Sequence, residues 1–284
     1  MRERLTDMYV ALGFPLPVQG AFGIFLLRMD TGGGATMSDL ELFVQLRRTR
    51  RVRRIFGIGN SFGFSTLALA SLFPGVPISV MDAESEGRDN RRGSNMTRAI
   101  ARRFDLPVHL SQGFSPLDTR RVIESLPASA RLGAASATAA ASAAAPRANA
   151  RKLASFDLVF IDGAHTNRHQ SDDFESIRPF LAPQHVVILH DVILASMEPS
   201  LKAIAESVAA KEGSAMYEYE GVNYCNHFGT MILETAHAPA STPLGSPFAW
   251  PPPLGSSSRV GPVVQNRTSL GVSIRHRNCR CASA

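Results

Sequence analysis

The sequence predicts an α/β fold, a doubly wound and mostly parallel sheet in a single domain. Three observations predict it. The apolar run at 156–161 stops at Asp162, and a second at 186–189 stops at His190-Asp191. Unbroken apolar strands of this kind belong to sheets covered on both faces. Strands alternate with helical stretches across 37–235, as in βαβ units.

The elements follow in order. Residues 1–36, punctuated by GFPLP and TGGG, read as a partly ordered arm. The spacing of Met37, Leu40, Phe43 and Leu46 predicts a one-faced helix over 37–48. Ser38 and Glu41 have capping-box spacing at its start. Residues 54–58 form a first strand, and 65–73 a helix closed by Pro74-Gly75. A strand over 77–81 ends at Asp82. Helix 95–104, strand 108–110 and helix 117–126 come next. The Ala/Ser-rich run 127–151 has no apolar periodicity and reads as a flexible insertion. Asp172 and Asp173 read as caps of the helix after 162. A helix over 199–211 and strands over 216–220 and 229–234 complete the domain. The Pro-, Ser- and Gly-rich stretch 236–284 reads as a disordered tail.

Composition narrows the function classes. The chain has 284 residues, 44% of them hydrophobic, enough for a large core. No apolar run reaches the roughly 20 residues of a membrane span. The apolar stretch 14–27 is broken by prolines and glycines and shows no clear cleavage site, so a cytoplasmic protein is expected. Cys225, Cys279 and Cys281 supply neither a disulfide framework nor a metal quartet. The net charge of +6 owes much to Arg47, Arg48, Arg50, Arg51, Arg53 and Arg54. That cluster lacks interleaved aromatics and suits a helix end, so no nucleic-acid partner is expected.

The first strand runs into Gly57-Ile-Gly59-Asn60-Ser61-Phe-Gly63-Phe-Ser65-Thr66, and a helix follows. Glycines allow a tight turn and close approach of a ligand, and the helix start offers free N–H groups. Asp82, at the end of the next strand, is placed to accept both ribose hydroxyls of a nucleoside, with Glu84 the second choice. The glycine loop alone also fits some NADP-binding turns. An NADP-dependent oxidoreductase is therefore an alternative, although no Tyr-x-x-x-Lys pair accompanies the loop.

Gly59-x-x-x-Gly63-x-Ser65-Thr66 resembles the first motif of class I S-adenosylmethionine-dependent methyltransferases. FIDGAH, then Asp172-Asp173, then LHDV resemble methyltransferase family 24, and SQGFS at 111–115 is similar to its turn near the adenine. The resemblance implies a Rossmann-like sheet of the class I methyltransferase type. It implies S-adenosylmethionine held by Gly57, Gly59, Asn60, Ser61, Gly63, Ser65, Thr66, Asp82, Ser115 and Asp162. The chain departs from the family at Gly57, where an acid is common, at Gln184-His185, where Gly-Gly is usual, and at Asn167, where an aromatic often stands. These departures make a non-catalytic nucleoside-binding protein a further alternative.

Methyl transfer from a sulfonium is an in-line displacement, so the enzyme chiefly holds donor and acceptor in line. A hydroxyl acceptor gains from a base or a metal. Asp162 and Asp191 end neighbouring strands and could share Mg²⁺, as related metal-dependent methyltransferases do. His165 and His190 are candidate bases, so Asp162, His165, His190 and Asp191 form the candidate catalytic set. Asn223, Tyr224 and His227 are candidates to line the pocket of a small-molecule acceptor.

Overall fold

The computed structural model describes residues 2–15, 17–20, 23–26, 35, 37–85, 91–127, 130, 155–192, 197, 199–200, 203–204, 207, 217–222, 230–235, 264–267 and 273–276. Most of the 127–151 insertion, Asn223, Tyr224, His227 and the three cysteines lie outside the described residues. So does most of the expected 199–211 helix, whose described residues are helical.

Helices α1 (Arg2–Val10) and α2 (Met37–Thr49) flank a small hairpin of β1 (Pro17–Gly20) and β2 (Gly23–Leu26). Then follow β3 (Ile55–Ile58), α3 (Phe64–Leu72), β4 (Ile78–Asp82), α4 (Arg92–Arg103), β5 (Val108–Gln112) and α5 (Thr119–Ser125). The second half holds β6 (Phe156–Ile161), α6 (Asn167–Ile177), β7 (Leu181–Leu189), β8 (Tyr217–Val222), β9 (Thr230–Thr235), β10 (Val264–Arg267) and β11 (Ser273–His276). One sheet runs β10-β11-β8-β9-β7-β6-β3-β4-β5. Strands β7, β6, β3, β4 and β5 are mutually parallel, and β9 joins antiparallel to β7.

Alternation along the strands explains the two-sided core. Ile55, Leu158, Phe160, Val186 and Ile188 face one layer, with residues of α1, α2, α3 and α4. Phe56, Ile58, Val159, Ile161, Val187 and Leu189 face the other, with Val122 and Ile123 of α5 and Phe174 and Ile177 of α6. Phe43 of α2 meets Phe160 of β6 edge to face at 5.5 Å, a pairing favoured by the ring quadrupoles.

Three readings are corrected. The arm begins with a packed helix, because Leu5, Met8 and Tyr9 give α1 a buried face. Asp172 and Asp173 sit inside α6, and Thr166 caps it, its hydroxyl accepting from the His169 amide at 3.2 Å. The tail contributes two short strands, β10 and β11, with β11 pairing parallel to β8. Within the arginine cluster, Arg47 donates to the Leu72 carbonyl and Arg53 pairs with buried Asp157, both at 3.0 Å. Part of that charge therefore holds the fold together.

The direction of strand addition reverses between β3 and β6, which makes their carboxyl ends the crevice where such sheets bind ligands. Ile58, Ile161 and Leu189 pair across β3, β6 and β7. The next residue on each strand is Gly59, Asp162 and His190. Chain register alone thus brings the glycine loop beside the acidic strand ends.

Candidate active site

Gly59 has φ of 89°, and a Cβ there would stand 1.9 Å from the Asp162 carbonyl oxygen. Only glycine lets the loop pass β6 this closely. Gly63, with φ of 87°, starts α3, and its Cβ would fall 2.2 Å from the Thr97 hydroxyl. Gly57 lies within β3 against Val80, so it serves strand packing from inside the sheet.

The loop is tied on every side. Asp82 Oδ2 accepts from the amides of Asn60 at 2.6 Å and Ser61 at 3.3 Å, and its Oδ1 accepts from the Glu84 amide at 2.6 Å. A carboxylate has about four acceptor sites, so beside these three there is room for one of the two expected ribose hydroxyls. Glu84 is buried and paired with Arg98 at 3.0 Å and Arg91 at 3.5 Å, which commits it elsewhere. The Asn60 amide donates to the Ser61 carbonyl and to Thr97, while its oxygen accepts from Thr66. Asn60 and Thr66 therefore brace the loop with side chains turned inward. Ser65 is buried at the start of α3. The buried Ser61 hydroxyl has no hydrogen-bond partner among the described residues.

Ser115, after β5, donates to the buried Asp173 carboxylate across to α6. Burial pushes the Asp173 carboxyl up to about 6. A carbon added at Gly163 would stand 3.0 Å from Asp173 Oδ2, so this group underlies the turn after β6.

The ends of β6 and β7 are crowded with charge. His190 is buried, with Nε2 3.0 Å from Asp39 of α2 and Nδ1 3.1 Å from Asp162. Burial would lower the imidazole pKa, but the charges of Asp162 and Asp39 outweigh it and hold the pKa well above the ordinary value. Asp162 is held far below the usual carboxylate range, since the two histidines outweigh its own burial. His165 is half-exposed, with Nε2 3.4 Å from Asp162 and 3.2 Å from Asp191. Its hydrogen bond with Asp162 raises its pKa. Asp191 adopts φ of 55°, and its buried Oδ1, though 3.2 Å from His190 Nδ1, has no hydrogen bond. Ligand atoms of Asp162, His165 and Asp191 lie within 4.8 Å of one another.

Both nitrogens of His190 face carboxylates, which favour its charged form, so acting as a base would require one of these contacts to open. Asp39 escaped the sequence reading. The signal was present, because Asp39 shares the buried face of α2 with Leu42, Phe43 and Leu46, which are apolar. A carboxylate on an apolar face needs a buried partner.

Residues 56–192 match the model of methyltransferase family 24, described as a methyltransferase domain. Residues 56–192 therefore form a methyltransferase domain, consistent with the class I S-adenosylmethionine-dependent methyltransferases. The O-methyltransferase from Bacillus cereus, solved with S-adenosylhomocysteine, is similar in fold at 15% identity. The alignment covers 82% of this chain and 89% of that one, with a TM-score of 0.50. The O-methyltransferase TomG from Streptomyces achromogenes, involved in tomaymycin synthesis and solved with S-adenosylmethionine, is 15% identical with a TM-score of 0.49. It covers 82% of this chain and 88% of its own. No curated protein sequence matches this methyltransferase. The family match does not favour the NADP-dependent alternative. Among the described residues no helix is long and apolar enough to cross a membrane.

Proposed function

We propose that this methyltransferase moves the methyl group of S-adenosylmethionine to an oxygen of a small-molecule acceptor. One observation carries the reading: Gly59 of the donor loop touches the backbone of Asp162, whose side chain opens the acidic cluster. Donor and acceptor sites therefore adjoin at the sheet's switch point. The glycine loop, Asp82 and Ser61 hold the donor, with Ser115 at the adenine end. His165, the exposed member of the cluster, takes the acceptor's proton. Asp162 and Asp191 orient that ring through its Nε2 and hold the acceptor oxygen in line.

The cluster also fits a divalent cation. Two carboxylates and one imidazole converge, and the buried Asp191 Oδ1 lacks a donor. Mg²⁺ or Mn²⁺ suits oxygen-rich ligands of this kind and would stabilise negative charge on the acceptor oxygen. Asp162, His165 and Asp191 would hold it, and with His165 then a ligand the cation's charge, in place of the imidazole, would favour loss of the acceptor's proton.

Isothermal calorimetry with S-adenosylhomocysteine, with and without Mg²⁺ or Mn²⁺, tests both parts. Micromolar binding is expected, with affinity or acceptor turnover rising with the cation. Failure to bind in any buffer rejects the donor assignment; indifference to cations and chelators rejects the metal.

A further inference from the structure

Residues 1–36 were expected to be a partly ordered arm, yet Tyr9 of α1 reaches the donor loop. Tyr9 is fully buried, its ring stacked on Phe64 at 4.9 Å and 17° between planes. Its hydroxyl donates to the carbonyl of Phe62, within the turn between Gly59 and Gly63. Leu5 and Met8 seat the same face of α1 in the core, and Ser71 of α3 contacts the Met8 sulfur at 3.9 Å. We propose that Tyr9 is a positioning residue for methyl-donor binding, and that α1 is the back wall of the donor loop. This rests on the loop being the donor site.

The physical argument starts from the hydroxyl. A phenylalanine would fill the same space and stack on Phe64 equally well. A buried hydroxyl costs free energy unless it is bonded, so its presence marks a contact that matters beyond packing. Its partner is a carbonyl that the ladder of α3 does not use at its first turn, where Leu67 donates to Gly63, one residue past Phe62. The other sides of the loop are held by Asp82 on the amides of Asn60 and Ser61, by Thr97 on Asn60, and by Gly93 packed against the Ser61 carbonyl. Tyr9 holds the remaining side. With the amides of Asn60 and Ser61 held by Asp82 and that of Gly63 by the Asn60 carbonyl, the Ser61 hydroxyl is the donor of the turn offered to a ligand. Burial raises the phenol pKa, so it stays a donor throughout the working pH range.

The test is Tyr9→Phe in the full chain, read by calorimetry with S-adenosylhomocysteine and by hydrogen exchange at Ser61–Gly63. The expected result is a Kd about 5- to 20-fold weaker, the scale of one buried hydrogen bond. Turnover at saturating donor should be unchanged, and loop amides should exchange faster in the ligand-free protein. A purely structural role predicts a lower Tm with equal affinity. An unchanged Kd beside tight wild-type binding overturns the proposal and leaves the methyltransferase reading intact. Wild-type protein that binds no S-adenosylhomocysteine rejects the donor-site reading itself. In that case hydrogen exchange still reports on the brace: unchanged loop protection in Tyr9→Phe removes it too.

Discussion

The proposed donor half and the proposed acceptor half of this crevice are built differently. On the donor side, most polar groups of the glycine loop are bonded within β3, α3, β4 and α4, which follow one another in the chain. On the acceptor side, five ionisable groups, at the ends of β6 and β7 and on α2, share one small volume, and the Asp39–His190 contact spans 151 residues. The first arrangement is a rigid receptor whose bonds are satisfied before any ligand arrives. The second keeps strong, partly unmet electrostatic demand at the place where charge must develop. Preorganised charge of that sort stabilises transition states more than ground states.

If the halves are separable, variants should sort by parameter. The largest effect is expected from Asp191→Ala, with turnover falling on the order of 1,000-fold, the scale of a lost transition-state contact. Its Kd for S-adenosylhomocysteine should stay within about twofold; weaker donor binding would mean the halves are not distinct. Next is Asp82→Ala, which frees three backbone amides as well as removing the ribose acceptor. Donor affinity should fall about 10- to 100-fold, or roughly 1.4–2.7 kcal/mol. Unchanged calorimetry would remove Asp82 from the donor site.

The same contrast explains what was legible in the sequence. The parallel strands, the glycine loop and Asp82 are encoded by local patterns: apolar runs, glycines at tight turns, an acid at a strand end. The acidic strand ends Asp162 and Asp191 were legible for the same reason. Asp39 was not, because its partner His190 is remote and helix spacing says only that a face is buried. Asp173 was read as a helix cap because local chemistry favours that, whereas its environment is set by Ser115, 58 residues away. Tyr9 lies in a segment whose glycines and prolines suggested loop. Its role depends on a carbonyl in a turn, which carries no sequence signature.

Asp39 sharpens the comparison on the acceptor side. Asp39→Asn keeps the size of the side chain but removes the negative charge facing His190 Nε2. Buried His190 then loses one of the three carboxylates that sustain its charge. Turnover should drop about 10- to 100-fold with donor Kd unchanged, since breaking one partner of a buried pair strands the other. The pH dependence of turnover should shift as well, which loss of packing alone would not produce. A variant with wild-type turnover and pH profile would reduce the pair to a structural contact.

Asp173 gives the smallest effect, and one confined to stability. Its folded pKa of about 6 lies above the value of 3.8 expected when exposed. The sign follows from linkage: the protonated acid is favoured in the fold, so its stabilising contribution is full below about 3.8 and is lost as pH rises through about 6. Asp162 has the opposite sign, because its depressed pKa contributes stability that is lost as pH falls. Raw pH–stability curves will mix the two, and a difference between variant and wild type isolates Asp173. In Asp173→Asn the amide oxygen still accepts from Ser115, while the ionisation penalty is gone. The variant should match wild type near pH 4 and exceed it by about 1–2 kcal/mol at pH 8 in urea unfolding. A gap independent of pH would show that Asp173 is ionised in the fold and that its burial is compensated by charge around Ser115 and His169.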